Sequence, residues 1–90
     1  MFVEDKLDLH GFTEIQAKSI LEKFINKSFE TNKRLVLVIT GKGTRGEGII
    51  KKNIISWLNN SSSRNKILAA HQASKKHGGE GAIYILLRKS

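Results

Sequence analysis

The stretch VLVITGKGTRGEGIIKKNI, residues 36–54, decides the fold. An apolar, β-branched run (RLVLVIT, 34–40) gives way to glycines at 41, 43, 46 and 48, after which Ile50, Ile54, Trp57 and Leu58 recur at i, i+4, i+7 and i+8. The first pattern is that of a strand central in a sheet or covered on both faces; the last is that of an amphipathic helix of about ten residues. Strand, glycine turn and helix together suit an anion: the backbone can approach closely, successive N–H groups form a nest, and the helix points its positive end at the turn. Gly41, Gly43 and Gly46 also satisfy G-x-G-x-x-G, the dinucleotide pattern.

Both nucleotide readings of this turn fail on the residues around it. A P-loop needs Gly-Lys-Ser/Thr after its spacer, and Glu47 follows Gly46. A dinucleotide cradle needs an acid about 20 residues on, where the next strand end offers Ala70, His71 and Gln72. Length agrees, because 90 residues hold one small core and a full dinucleotide fold needs two βαβαβ halves. A plain strand-to-helix turn is the other reading of these glycines unless something chemical faces them.

Outward from this stretch, KLDL (6–9) alternates, with Leu7 and Leu9 on one face and Asp8 and His10 on the other, as in a half-buried strand ended by Gly11. Thr13 and Gln16 make a capping box. Ala17, Ile20, Leu21, Phe24, Ile25 and Ser28 then trace one helical face, and the helix is expected to end near Thr31 and Asn32. NNSSSRN reads as a polar loop, and KILAAHQA and AIYILLR as two further strands. The order is β-α-β-α-β-β in one domain of 90 residues with its core at about 6–89: a two-layer α/β (α+β) sandwich of two helices and a four-stranded mixed sheet. Helical crossovers make the first three strands parallel, and the short last connection turns the fourth antiparallel.

Charge divides the chain. Residues 1–41 hold six bases and six acids, residues 42–90 ten bases and two acids, so the whole net charge of +8 lies in the second half. That asymmetry favours a polyanionic partner, nucleic acid before an acidic membrane; a merely solvated lysine-rich surface is the plainer alternative. No cysteine is present, no apolar run approaches the roughly 18 residues of a membrane span, and the first residues lack the pattern of a secretory signal. A cytoplasmic monomer without a small-molecule cofactor and without membrane contact is expected.

Ligands of a parallel sheet bind beyond the carboxyl ends of its strands. The first strand brings Asp8 and His10 to that edge, the second Thr40, Gly41, Lys42 and Gly43, and the third the loop SKKHGGEG (74–81). A carboxylate two residues from an imidazole on a strand can orient the ring for general acid–base work on a phosphodiester, an effect of roughly 10²–10⁴ in rate. The pair also offers two metal ligands, with no third at motif spacing; an exposed polar pair on an edge strand is the bland alternative. Lys42 and Arg45, with Lys75 and Lys76, supply phosphate contacts, and Gly78 and Gly79 a close backbone approach. His71 reads as structural, and Phe24, Trp57 and Tyr84 as packing.

LDLHG (7–11), TGKG (40–43) and HGGEGAIYILLRK (77–89) resemble, in order and spacing, the motifs of the Smr, or small MutS-related, domain. The resemblance implies a sandwich similar to the C-terminal domain of bacterial initiation factor three, nucleic-acid binding and, in many members, endonuclease activity on DNA or RNA, some at ribosomes. The family's Asp-x-His pair falls on Asp8 and His10, and its glycine loop on Gly41, Lys42 and Gly43. Many members carry His-Gly-x-Gly in the second block; here Thr40 replaces that histidine, and His77 is the candidate substitute. The expectation is an endonuclease-type phosphodiesterase with Asp8, His10 and His77 catalytic, acting on RNA without metal or on DNA with a divalent metal; the alternative is a non-catalytic module that binds nucleic acid or the ribosome.

Overall fold

The computed structural model of the chain describes residues 2–41, 48–60 and 62–90. Strands β1 (Asp5–Asp8), β2 (Leu35–Ile39), β3 (Ile67–Gln72) and β4 (Ala82–Leu87) form one sheet, with helices α1 (Glu14–Glu30) and α2 (Gly48–Asn60) in the two crossovers. The strand order is β1-β2-β4-β3. β1 runs parallel to β2, and β4 runs antiparallel to both β2 and β3, so the first three strands point the same way as expected. β4 lies between β2 and β3, which leaves β1 and β3 as the edges.

α1 begins where its cap dictates. The Thr13 side chain accepts from the Gln16 N–H, and the Gln16 side chain accepts in return from the Thr13 N–H, which satisfies two of the four orphan donors of the first turn. Thr31 caps the other end, and Asn32 follows with φ 59, a left-handed conformation that asparagine tolerates.

Both helices cover the same face of the sheet. Ala17, Leu21 and Ile25 of α1 and Ile50, Ile54 and Leu58 of α2 meet Leu9, Val36, Val38, Ile85 and Leu87 in the main core, with Phe24 and Trp57 partly buried against it. Full burial of each large aliphatic side chain contributes about 1.5–3 kcal/mol. On the opposite face, alternation along β2 and β4 produces a smaller cluster of Leu37, Ala73 and Ala82, flanked by Val3, Ile39 and Tyr84. No helix among the described residues is long and apolar enough to cross a membrane.

Two expectations change. NNSSSRN is not a featureless loop: Ser62–Lys66 form a 3₁₀ turn whose buried Ser63 hydroxyl donates to Asn26 Oδ1 at 3.3 Å, beside Lys66 Nζ at 2.6 Å. His71 is exposed on an edge strand rather than structural, because β4 rather than β3 occupies the sheet interior.

Candidate nucleic-acid interface

The end of β1 builds the first part of the site. Leu9 donates its N–H to Ile39 O at 2.8 Å and buries its side chain completely, so the chain is anchored there and His10 lies one residue beyond the pairing. Gly11, at φ 85, then turns the backbone toward the Thr13 cap. His10 is thus fixed between a strand end and a helix start.

Asp8 Oδ1 receives both the His10 ring nitrogen Nδ1, at 2.5 Å, and the His10 backbone N–H, at 3.0 Å. Partial desolvation pushes the Asp8 carboxyl up, but the ring hydrogen bond, the backbone hydrogen bond and the imidazole's charge outweigh it, and the carboxyl ends below its ordinary value of 3.8. An ionised carboxylate only accepts, so the His10 nitrogen that carries a proton toward Asp8 is Nδ1.

The end of β2 is clamped to the start of β4. Gly81 O accepts from the N–H groups of Thr40 at 2.8 Å and Gly41 at 3.1 Å. Thr40 is 1% exposed, and its hydroxyl donates between Gly41 O at 3.1 Å and Gly81 O at 3.3 Å. Thr40 therefore meets backbone with its side chain; it shapes the turn from within, which narrows the phosphate contact expected of it to an indirect one. Gly41 adopts φ 86, a conformation open to glycine. Lys42, Gly43 and Arg45 lie outside the described residues.

The third segment is a compact double turn. Ser74 O accepts from the N–H groups of His77 and Gly79, each at 2.9 Å. Gly78 sits at φ 115, where a Cβ would come within 3.0 Å of Ala82 Cβ, and Gly79 at φ 54. Ala73 donates to Ala82 O at 3.0 Å, which sets this loop beside Gly81 and hence beside Thr40 and Gly41. Lys75 and Lys76 are exposed; Lys75, Gly78 and Gly79, together with Gln72 and Glu80, line a cleft of about 480 Å³.

His77 faces Tyr84. Its Nδ1 lies 2.5 Å from the Tyr84 hydroxyl, and the rings meet edge to face with centroids 5.5 Å apart. The same hydroxyl accepts from the Ser74 N–H at 3.3 Å and lies 3.0 Å from Ser74 Oγ. Tyr84 therefore pins the lysine-bearing loop to the open face of the sheet, a role beyond packing. Its signal in the sequence was a lone phenol in an otherwise aliphatic strand, since a buried phenol seeks a polar partner. Among the described residues no cluster of three or more His, Asp or Glu is arranged to hold a metal ion.

An Asp–His pair, a glycine turn and a basic loop are gathered at one end of the sheet of a two-layer sandwich. The chain belongs to the Smr domain family, whose model matches residues 7–88. It is 37% identical over 84 residues to the ribosome rescue factor SmrB of Tolumonas auensis, covering 93% of this chain and 45% of that protein. It is 36% identical over 83 residues to SmrB of Haemophilus ducreyi, covering 92% of this chain and 44% of that one. The chain thus spans less than half the length of these relatives. Among solved structures it superposes on YdaL, a stand-alone small MutS-related protein from Escherichia coli, with TM-score 0.84 and 29% identity, covering 93% of this chain and 64% of that chain. The Smr domain of Thermus thermophilus MutS2 shares the fold at TM-score 0.80 and 21% identity, covering 93% and 98%.

Proposed function

We propose that this domain binds nucleic acid at the edge formed by His10, Gly41 and the Lys75–Gly79 loop, and that its target is RNA at the ribosome. The observation that carries the reading is the joining of the β2 end, through Gly81 O, to a basic loop that lies in the half of the chain holding the entire +8 charge. Exposed lysines and glycine-turn N–H groups contact phosphates without reading sequence. The name ribosome rescue factor, borne by relatives at 37% and 36% identity, supports the ribosome as the setting.

A second reading, phosphodiester cleavage, is favoured by the tautomer that Asp8 imposes on His10. With Nδ1 turned to Asp8, Nε2 is the nitrogen through which an unprotonated ring would take the proton of an RNA 2′-hydroxyl. The 2′-oxygen then attacks phosphorus, the bond to the 5′-oxygen breaks, and that oxygen must receive a proton while a 2′,3′-cyclic phosphate forms. His77, held at Nδ1 by Tyr84, is the candidate proton donor, with Lys42 and Arg45 on the phosphate. With DNA a water must attack instead, and a divalent metal would supply the activation; Asp8 and His10 are the donors this chain offers it.

The test is binding and cleavage of labelled RNA and DNA by the wild-type protein and His10→Ala, with and without a chelator. RNA bound by both proteins and cut by neither supports the module; RNA cut by wild type alone supports cleavage; no RNA bound by the wild type contradicts both.

A further inference from the structure

The two edges of the sheet are guarded unequally. β1 carries Asp5, Lys6 and Asp8 among its four residues, and Asp5 is paired with Lys33 at 2.8 Å. β3 reads ILAAHQ, with neither a Lys, Arg, Asp or Glu nor a proline. Charge and proline are two of the means, with bulges, by which sheets keep free edges from pairing with other chains, and β3 has neither of the two. Its one irregular step, between Ile67 and Ala69, leaves residues 69–72 in regular register with β4.

Along this strand, between it and α2, runs a groove of about 470 Å³. Ile55, Leu58, Ile67 and Leu68 form the apolar part of a mixed lining that also holds Asn59 and Asn65, and Ile55 and Leu68 are each 45% exposed. Arg64 and Arg88 line it as well, both exposed. Neither guanidinium has a hydrogen-bond or ion-pair partner among the described residues.

We propose that this groove docks an extended protein segment of alternating acidic and apolar residues, added to the sheet as a strand beside β3. The free edge would supply main-chain hydrogen bonds, the groove would take every second, apolar side chain, and carboxylates would meet Arg64 and Arg88 as charge-assisted pairs. Charge complementarity selects this occupant. A second copy of the chain brings the same +8 and the same two arginines, so like charges would face each other. A single strand of RNA suits the arginines but finds aliphatic side chains where bases need aromatic platforms. The groove opens at the end of β3 away from the nucleic-acid edge, since Ile67, opposite Leu87, is at the other end of β4 from Ala82, while Gln72 at the near end of β3 also lines the cleft of the basic loop.

The test follows backbone amide resonances of the isotope-labelled chain during titration with a capped peptide of alternating glutamate and valine. A lysine–valine peptide and oligouridylate serve as controls. Saturable shifts confined to residues 68–72 and 88, with the glutamate peptide only, are expected. The charge-reversed variant Arg64→Glu/Arg88→Glu should bind about tenfold more weakly with an unchanged fold, since both side chains are exposed. Leu68→Lys, also at an exposed site, should weaken binding in the same way. Absence of shifts in the groove at millimolar peptide, equal shifts with the lysine peptide, occupation by oligouridylate, or a dimer whose interface shields β3 would each overturn the proposal.

Discussion

His10 Nδ1 stands 2.5 Å from Asp8 Oδ1, and the same oxygen also receives the His10 backbone N–H at 3.0 Å. One carboxylate oxygen thereby fixes both the ring and the main chain of the residue that follows β1. The strand sets the i, i+2 spacing, the buried Leu9 between them anchors it, and the result is an imidazole aimed by its own neighbour. His10→Ala removes the ring bond and the imidazole's charge but keeps the backbone N–H, so desolvation gains weight and the Asp8 carboxyl should titrate higher than in wild type. Carbon-detected NMR titration of Asp8 reads this directly; an unmoved titration would separate the two residues in solution.

Acid stability follows from the same kind of group. Lys33 donates to Asp5 at 2.8 Å, and chiefly through that bond the Asp5 carboxyl, like that of Asp8, lies below its ordinary 3.8. A carboxyl depressed in the folded state contributes stability above its unfolded value and loses it as pH falls through the folded one. The melting temperature should therefore drop as pH is taken below about 4. Lys33→Met should lower stability above that point and make the acid limb shallower, as thermal melts across pH would record.

Thr13→Ala should cost about 1 kcal/mol, because it removes the acceptor of the Gln16 N–H and one half of the capping box. For a domain this small that corresponds to a melting temperature lower by about 4–8 °C. Serine at the same position should restore most of it.

Thr40 stands where many Smr domains carry histidine, and its burial makes a prediction of its own. Thr40→Val removes the hydroxyl from Gly41 O and Gly81 O and should cost about 1 kcal/mol. Thr40→His forces a larger ring into a site that is 1% exposed and should cost about 1–3 kcal/mol through overpacking. Denaturant unfolding of the two variants gives both values, and a Thr40→His protein as stable as wild type would contradict the packing described.

The order of elements was legible because each is announced locally: the Thr13–Gln16 box, the apolar run of residues 35–39 and the helical spacing of Ile50, Ile54 and Leu58. Strand direction followed from the crossovers. The insertion of β4 between β2 and β3 did not, because pairing partners are chosen by tertiary packing and AIYILL and ILAAHQ both read simply as strands. The same limit hid the exposure of His71, the burial of Ser63 and Thr40, and the grip of Tyr84 on Ser74 and His77. Of the candidate site, the Asp8–His10 spacing was readable from strand periodicity alone. The role of Gly81 O, which joins the β2 end to the basic loop, had no signature, since a backbone carbonyl leaves none.

The most direct measurement of the central claim is the affinity of the protein for single-stranded RNA across a salt series, for wild type and for Lys75→Ala/Lys76→Ala. If about four phosphates are neutralised, the wild-type log–log slope should be near −3, and loss of the two lysines should make it shallower by about 1.4 while weakening binding. Unchanged affinity and slope in the double variant, with RNA still bound, would remove this edge as the binding surface.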